Sequence, residues 1–135
     1  MSDQSYLEWP FFDDRHRKYA KELSEWVKKE IVPLQHEEPK NNDELDGLCR
    51  DFVKKLGEGG WLKYCVPKAF GGKLEGFDVR TLALTREILS YRSGLADFSF
   101  AMQGLGSGAI TLFGSDEQKQ SYLVPVAEGK KIAAF

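Results

Sequence analysis

The sequence predicts an all-α fold, an up-and-down helical bundle around a buried central helix, ending in the start of a β-strand. Three observations lead to it. Apolar residues recur at three- and four-residue steps through most of the 135 residues. No stretch before the last few residues alternates convincingly as a strand would. The run from Phe98 to Ser115 holds no charged side chain, in a chain of which 30% is charged, so it has no solvated face and is expected to be buried on every side.

The first helix runs from Asp13 or Asp14 to about Val32. Tyr19, Ala20, Leu23, Trp26, Val27, Ile31 and Leu34 form one stripe, and Pro33 stops it. Pro33 to Asp43, with its prolines and mixed charges, reads as a linker. Asp43 then opens a second helix whose apolar positions are Leu45, Leu48, Cys49, Phe52, Val53 and Leu56, with Gly57 at its end. The aromatics of Trp61 to Pro67 are expected to cover one end of the bundle, and Gly71, Gly72 and Gly76 mark a loop. Asp78 caps a third helix that reaches about Tyr91, with Arg80, Arg86 and Glu87 on its solvated face.

For the central helix, Asp97 serves as the cap and Gly114 follows the last turn. About sixteen residues at ~1.5 Å each span roughly 24 Å, and the Gly, Ser and Thr content does not suit a membrane span. Gly104, Gly106 and Gly108 together cost on the order of 3 kcal/mol of helix propensity relative to alanine. Burial of Phe98, Phe100, Met102, Leu105, Ile110, Leu112 and Phe113, at ~1.5–3 kcal/mol each, exceeds that. Glycine at those places implies a close approach to the helix backbone, by a neighbouring helix or by a ligand. Ser115 and Gln118 then form a capping box for a last helix from Asp116 to about Val124, with Pro125 starting a further turn and Gly129 ending it. Ile132 to Phe135 is strand-like, a frayed tail or the first part of something longer.

A net charge of −2 gives no electrostatic case for nucleic acid or for a membrane surface. Cys49 and Cys65 lack metal-type or redox-type spacing and read as reduced, structural thiols. His16 and His36 are isolated, in surface or capping positions, and His36 with Glu37 and Glu38 does not read as a metal site. The opening Met-Ser-Asp-Gln-Ser-Tyr has neither a basic region nor an apolar run, so a cytoplasmic protein is expected. No phosphate-binding glycine pattern or catalytic constellation emerges from spacing. From the residues alone, function stops at an all-helical domain whose glycine-containing helix could line a ligand cavity.

Three stretches add more. They are Val66-Pro67-Lys68-Ala69-Phe70-Gly71-Gly72, then Phe113-Gly114-Ser115-Asp116-Glu117-Gln118-Lys119-Gln120-Ser121-Tyr122-Leu123, then Ala127-Glu128-Gly129-Lys130-Lys131-Ile132-Ala133-Ala134-Phe135. In order, spacing and content the chain from about residue 12 onward resembles the N-terminal helical domain of the acyl-CoA dehydrogenases, although Val124-Pro125 puts proline one residue later than in many relatives. The resemblance implies an FAD enzyme that removes two hydrogens from the α and β carbons of an acyl-CoA thioester. In such enzymes a glutamate of the C-terminal domain takes the α proton, the flavin accepts a hydride, and electrons pass to an electron-transfer flavoprotein. It implies a helical domain over residues 1–131, the first residues of a β domain over 132–135, further domains of the same polypeptide, and a homotetramer or homodimer. No catalytic residue and no metal are expected in this stretch, which would be inactive alone.

Phe135 is the implied FAD contact, at the point where the family's strand meets the flavin. Phe100, Ala101, Gly104, Leu105 and Gly108 are the implied lining of the acyl-chain cavity, since three- and four-residue steps set them along one side of the helix. Their small size would leave room for a bulky or long acyl group. The same scaffold also hosts acyl-CoA oxidases and flavin monooxygenases. A stand-alone helical binding or adaptor module is the rival from another class, and these alternatives stay open on the sequence.

Overall fold

Capping side chains decide where each helix begins. In the computed structural model, which describes residues 3–35 and 38–134, α1 (Asp14–Glu30) starts at Asp13. The Asp13 carboxylate accepts from the His16 amide, and the Asp13 amide donates back to His16 Nδ1. Asn41 caps α2 (Asn42–Glu58), Asp78 caps α3 (Val79–Ser90), and Ser93 caps α4 (Gly94–Phe113). Ser115 opens α5 (Asp116–Ala127), with Gln118 closing the expected capping box. These are the α-helices among the described residues, and an isolated bridge between Pro67 and Leu74 is the only β pairing among them. The all-α expectation holds.

The core follows the apolar stripes. Leu23 and Val27 of α1, Phe52 and Leu56 of α2, Leu89 of α3, Phe100 of α4 and Leu123 of α5 are buried together with Leu62 of the 3₁₀ turn Trp61–Tyr64. The aromatics of the Trp61–Tyr64 turn pack on α1: Tyr19 meets Trp61 and Tyr64 edge to face at 5.5 and 4.8 Å, and Trp26 meets Trp61 at 5.6 Å. Within the bundle α4 packs on α2, α3 and α5, and α1 packs on α3.

Several local expectations are corrected. α4 begins a turn early because Ser93 Oγ accepts from the Ala96 amide at 3.1 Å. Asp97, expected as the cap, lies inside the helix. Gly57 does not end α2. The helix continues to Glu58, and Gly57 is where the end of α5 crosses it: a Cβ there would lie 2.7 Å from the Glu128 carbonyl carbon and 2.8 Å from Gly129 Cα. The α5 helix runs on through Pro125. Proline has no N–H to offer the Ser121 carbonyl, which instead lies 3.4 Å from the Lys131 ammonium. Gly129, at φ +70°, turns the chain after α5 as expected. Residues 132–134 belong to no strand, and His36, Glu37 and Phe135 lie outside the described residues.

The largest correction concerns α4 itself. Its neighbours pack on one side only, burying Ala96, Phe100, Ala101, Gln103 and Ser107. On the other side Phe98 is 60% exposed, Leu105 60%, Leu112 65% and Phe113 87%. Absence of charge from Phe98 onward therefore does not equal burial here; the helix is covered on one face and open on the other. Arg80, Arg86 and Glu87 also do more than face solvent: Arg80 donates to the Phe11 carbonyl, Arg86 pairs with Asp97, and Glu87 accepts from the Tyr6 hydroxyl.

Candidate functional site

A cavity of about 330 Å³ lies between the middle of α4 and α3. Phe100, Ala101, Gly104, Leu105 and Gly108 form the α4 wall, Leu82 and Arg86 the α3 wall, and Cys65 and Phe77 come from the intervening loops. All the α4 residues singled out for an acyl cavity thus meet in one space, within the range of small-molecule pockets. The glycines there differ. A Cβ at Gly104 would rest 3.7 Å from Cys65 Sγ, an ordinary contact, whereas a Cβ at Gly108 would meet nothing within 4 Å. No large side chain from the facing helix fills the space beside Gly108. That leaves the ligand reading of these glycines standing at Gly108, and the packing reading applies at Gly106.

Cys65 and Arg86 are the side chains with polar atoms among the cavity's lining residues. Cys65 is buried, and desolvation pushes its thiol up to about 12, so it contributes apolar surface and no thiolate. Arg86 Nε and Nη2 donate to Asp97 Oδ1 and Oδ2 at 2.9 and 2.8 Å, a two-pronged pair that holds the guanidinium at the cavity rim and joins α3 to α4. Sequence reasoning missed Leu82 and Arg86; the signal was their four-residue spacing on α3, one step of the same helical face.

Away from the cavity, Gln103 is wholly buried, and its carboxamide is used by the segment that follows α5. Nε2 donates to the Lys131 carbonyl at 3.0 Å and lies 3.4 Å from the Val126 carbonyl; Oε1 accepts from the Ala133 amide at 2.7 Å. Gly106, one turn along, faces the same segment: a Cβ there would lie 2.7 Å from the Ala134 nitrogen and 2.9 Å from Ala133 Cβ. Ser107 and Thr111 satisfy their hydroxyls on helix carbonyls, Ser107 on Gln103 at 2.6 Å and Thr111 on Ser107 at 3.1 Å. Gln103, Ser107 and Thr111, in the uncharged part of α4, thus place their polar atoms in local or segment-directed bonds.

A second polar cluster ties α1 to α3. Asp78 Oδ2 accepts from Arg15, His16 Nε2 and the Thr81 hydroxyl at 2.9–3.0 Å. Burial works against the Asp78 carboxylate, but Thr81, His16 and the Arg80 amide outweigh it and bring its pKa down to about 2. His16, expected as a surface or capping residue, is a capping residue and is fully buried. Among the described residues no group of His, Cys, Asp and Glu could hold a metal ion, and both cysteines are free.

Residues 13–130 match the family model described as acyl-CoA dehydrogenase, N-terminal domain. This chain belongs to the acyl-CoA dehydrogenase family. A probable acyl-CoA dehydrogenase of Bacillus subtilis (strain 168) is 37% identical over 134 residues, covering 98% of this chain and 21% of that protein. A 3-(aryl)acrylate reductase of Clostridium sporogenes is 31% identical over 126 residues, 93% of this chain and 32% of the relative. Among solved structures, an acyl-CoA dehydrogenase complexed with FAD from Bacillus anthracis superposes with a TM-score of 0.70 at 32% identity, over 98% of this chain and 24% of that one. The chain thus spans between 21% and 32% of the length of these three proteins and corresponds to the family's N-terminal domain. No helix among the described residues is long and apolar enough to cross a membrane.

Proposed function

We propose that this chain is the helical domain of an FAD-dependent acyl-CoA dehydrogenase in which α4 forms one wall of the acyl-chain compartment. The observation that carries the reading is the convergence of Phe100, Ala101, Gly104, Leu105 and Gly108 on a single apolar cavity of about 330 Å³. Open space at Gly108 favours a bulky or long acyl group over a short one. This domain spans 1–131, and 132–135 lead into a β domain of the same polypeptide. The protein is cytoplasmic, assembles as a homotetramer or homodimer, and hands its electrons to an electron-transfer flavoprotein.

The residues present fit one edge of a flavin and no more. The run Ile132–Ala134 is uncharged, and Ile132 is 52% exposed, which suits a flat aromatic ring; the apolar cavity offers an acyl group its walls and a pyrophosphate nothing. Phe135, next in the chain, is the proposed flavin contact. Bound FAD supplies the hydride acceptor. The chain's own part is to line the acyl group with apolar surface from Phe100, Leu82, Phe77 and Cys65 and to supply no proton-transfer group.

Purified polypeptide carrying this domain tests the reading. Expected are one FAD per chain by absorbance, bleaching of that absorbance by acyl-CoA under anaerobic conditions, and larger thermal stabilisation by branched, aryl or long acyl-CoAs than by butyryl-CoA. Yellow protein indifferent to every acyl-CoA would overturn it. Similarity to a 3-(aryl)acrylate reductase favours, as a second reading, the same exchange run toward reduction of an α,β-unsaturated acyl group; the direction is read from whether an enoyl substrate reoxidises the reduced flavin.

A further inference from the structure

One helix touches both the proposed acyl compartment and the segment leading to the proposed flavin contact. Gly104, Leu105 and Gly108 face the cavity, while Gln103 and Gly106, interleaved with them, face residues 131–134. A carboxamide is planar and carries both a donor and an acceptor, so it can pair with a passing backbone as another peptide would. Gln103 does this with the Lys131 carbonyl and the Ala133 amide, two residues apart, and the pair fixes the segment's register. Gly106 independently fixes its distance, since any side chain there would collide with Ala133 and Ala134.

We propose that Gln103 and Gly106 form a dock on α4 that sets the course of residues 131–134, making Gln103 a positioning residue for the flavin. The proposal rests on the functional reading above. Because the dock and the acyl wall are parts of one rigid helix, the spacing between the acyl group and the flavin ring is set by α4 itself. Replacing Gln103 by an apolar residue leaves the Lys131 carbonyl and the Ala133 amide without the side-chain partner each has here, a cost the segment avoids only in its docked course.

The test uses FAD-loaded protein with Gln103→Leu, which removes the pairing, and Gly106→Ala, which lifts the segment while improving helix propensity. Gly47→Ala, on the exposed side of α2 with nothing within 4 Å of its new methyl, is the stability control. Expected are at least tenfold weaker FAD binding and a shifted flavin absorbance band in both dock variants, with faster hydrogen exchange at the Ala133 amide. In Gly106→Ala these changes come without loss of helical circular dichroism, which a merely structural role would not produce. Flavin affinity and spectrum equal to the control in both variants, with the Ala133 amide exchanging fast, overturn the proposal and leave the functional reading intact. Unsubstituted protein that takes up no FAD overturns both.

Discussion

Gly108→Ala separates stability from binding at a single position. Its new methyl would meet nothing within 4 Å, so no packing term opposes it. Exchanging glycine for alanine inside a helix gains about 1 kcal/mol, through the smaller entropy lost on folding. For a domain between the sizes usually tabulated, that corresponds to a rise in Tm of roughly 3–5 °C. The same methyl projects into the cavity of about 330 Å³ proposed to take the acyl chain. One methyl-sized intrusion in an apolar pocket discriminates by about 1–3 kcal/mol, or 10–200-fold, against a ligand that fills it. Thermal unfolding of the 135-residue chain reads the first effect, and the Kd of a bulky acyl-CoA for the FAD-loaded protein reads the second. A fall in Tm would refute the open space at Gly108. A rise in Tm with unchanged affinity for bulky acyl-CoAs would refute the assignment of this cavity to the acyl group.

Gly57→Ala has the opposite sign: with the Glu128 carbonyl against it, overpacking is expected to cost about 1–3 kcal/mol, read as a lower denaturation midpoint than for Gly47→Ala. Asp78 is depressed from 3.8 to about 2 in the folded state, so the unfolded chain binds the extra proton. Its contribution, on the order of 2 kcal/mol, is present above about pH 4 and lost as pH falls through about 2; melts of Asp78→Asn should converge on the parent protein in that window. With its thiol pushed up to about 12 and its sulfur buried, Cys65 should resist alkylation in the folded protein at mildly alkaline pH, while half-buried Cys49 reacts first, as counted by mass spectrometry before and after denaturation.

What could be read in advance was whatever is encoded within a few residues. The caps at Asp78 and Ser115 lie beside the helices they open, and the apolar stripes of α1 and α2 announce themselves by period. Ser93 is less legible as a cap, because Gly94 is a poor helix former and Asp97 lies directly before the uncharged run. The roles of Gly57 and Gly106 depend on Glu128 and Ala133, partners no local pattern reveals. The same division runs through the site. The α4 wall was visible as a three- and four-residue series, but Leu82, Arg86, Phe77 and Cys65 join it only once the helices are packed. Gln103 carried a weak hint, a polar amide in an uncharged helix, yet its purpose required knowing where residues 131–133 pass.

The outward face of α4 has a consequence for how this sequence tolerates change. Phe98, Leu112 and Phe113 satisfy nothing within the domain's own interior, so the domain's folding by itself exerts little selection on them. Serine or lysine at these positions should leave the fold of the separate chain intact and make it more soluble, whereas the same exchanges at Phe100 or Leu123 should abolish it. A saturation library scored only for soluble expression would therefore drift toward polar residues along that strip. Wherever a working enzyme retains aromatic and aliphatic residues there, something other than the stability of these helices is keeping them.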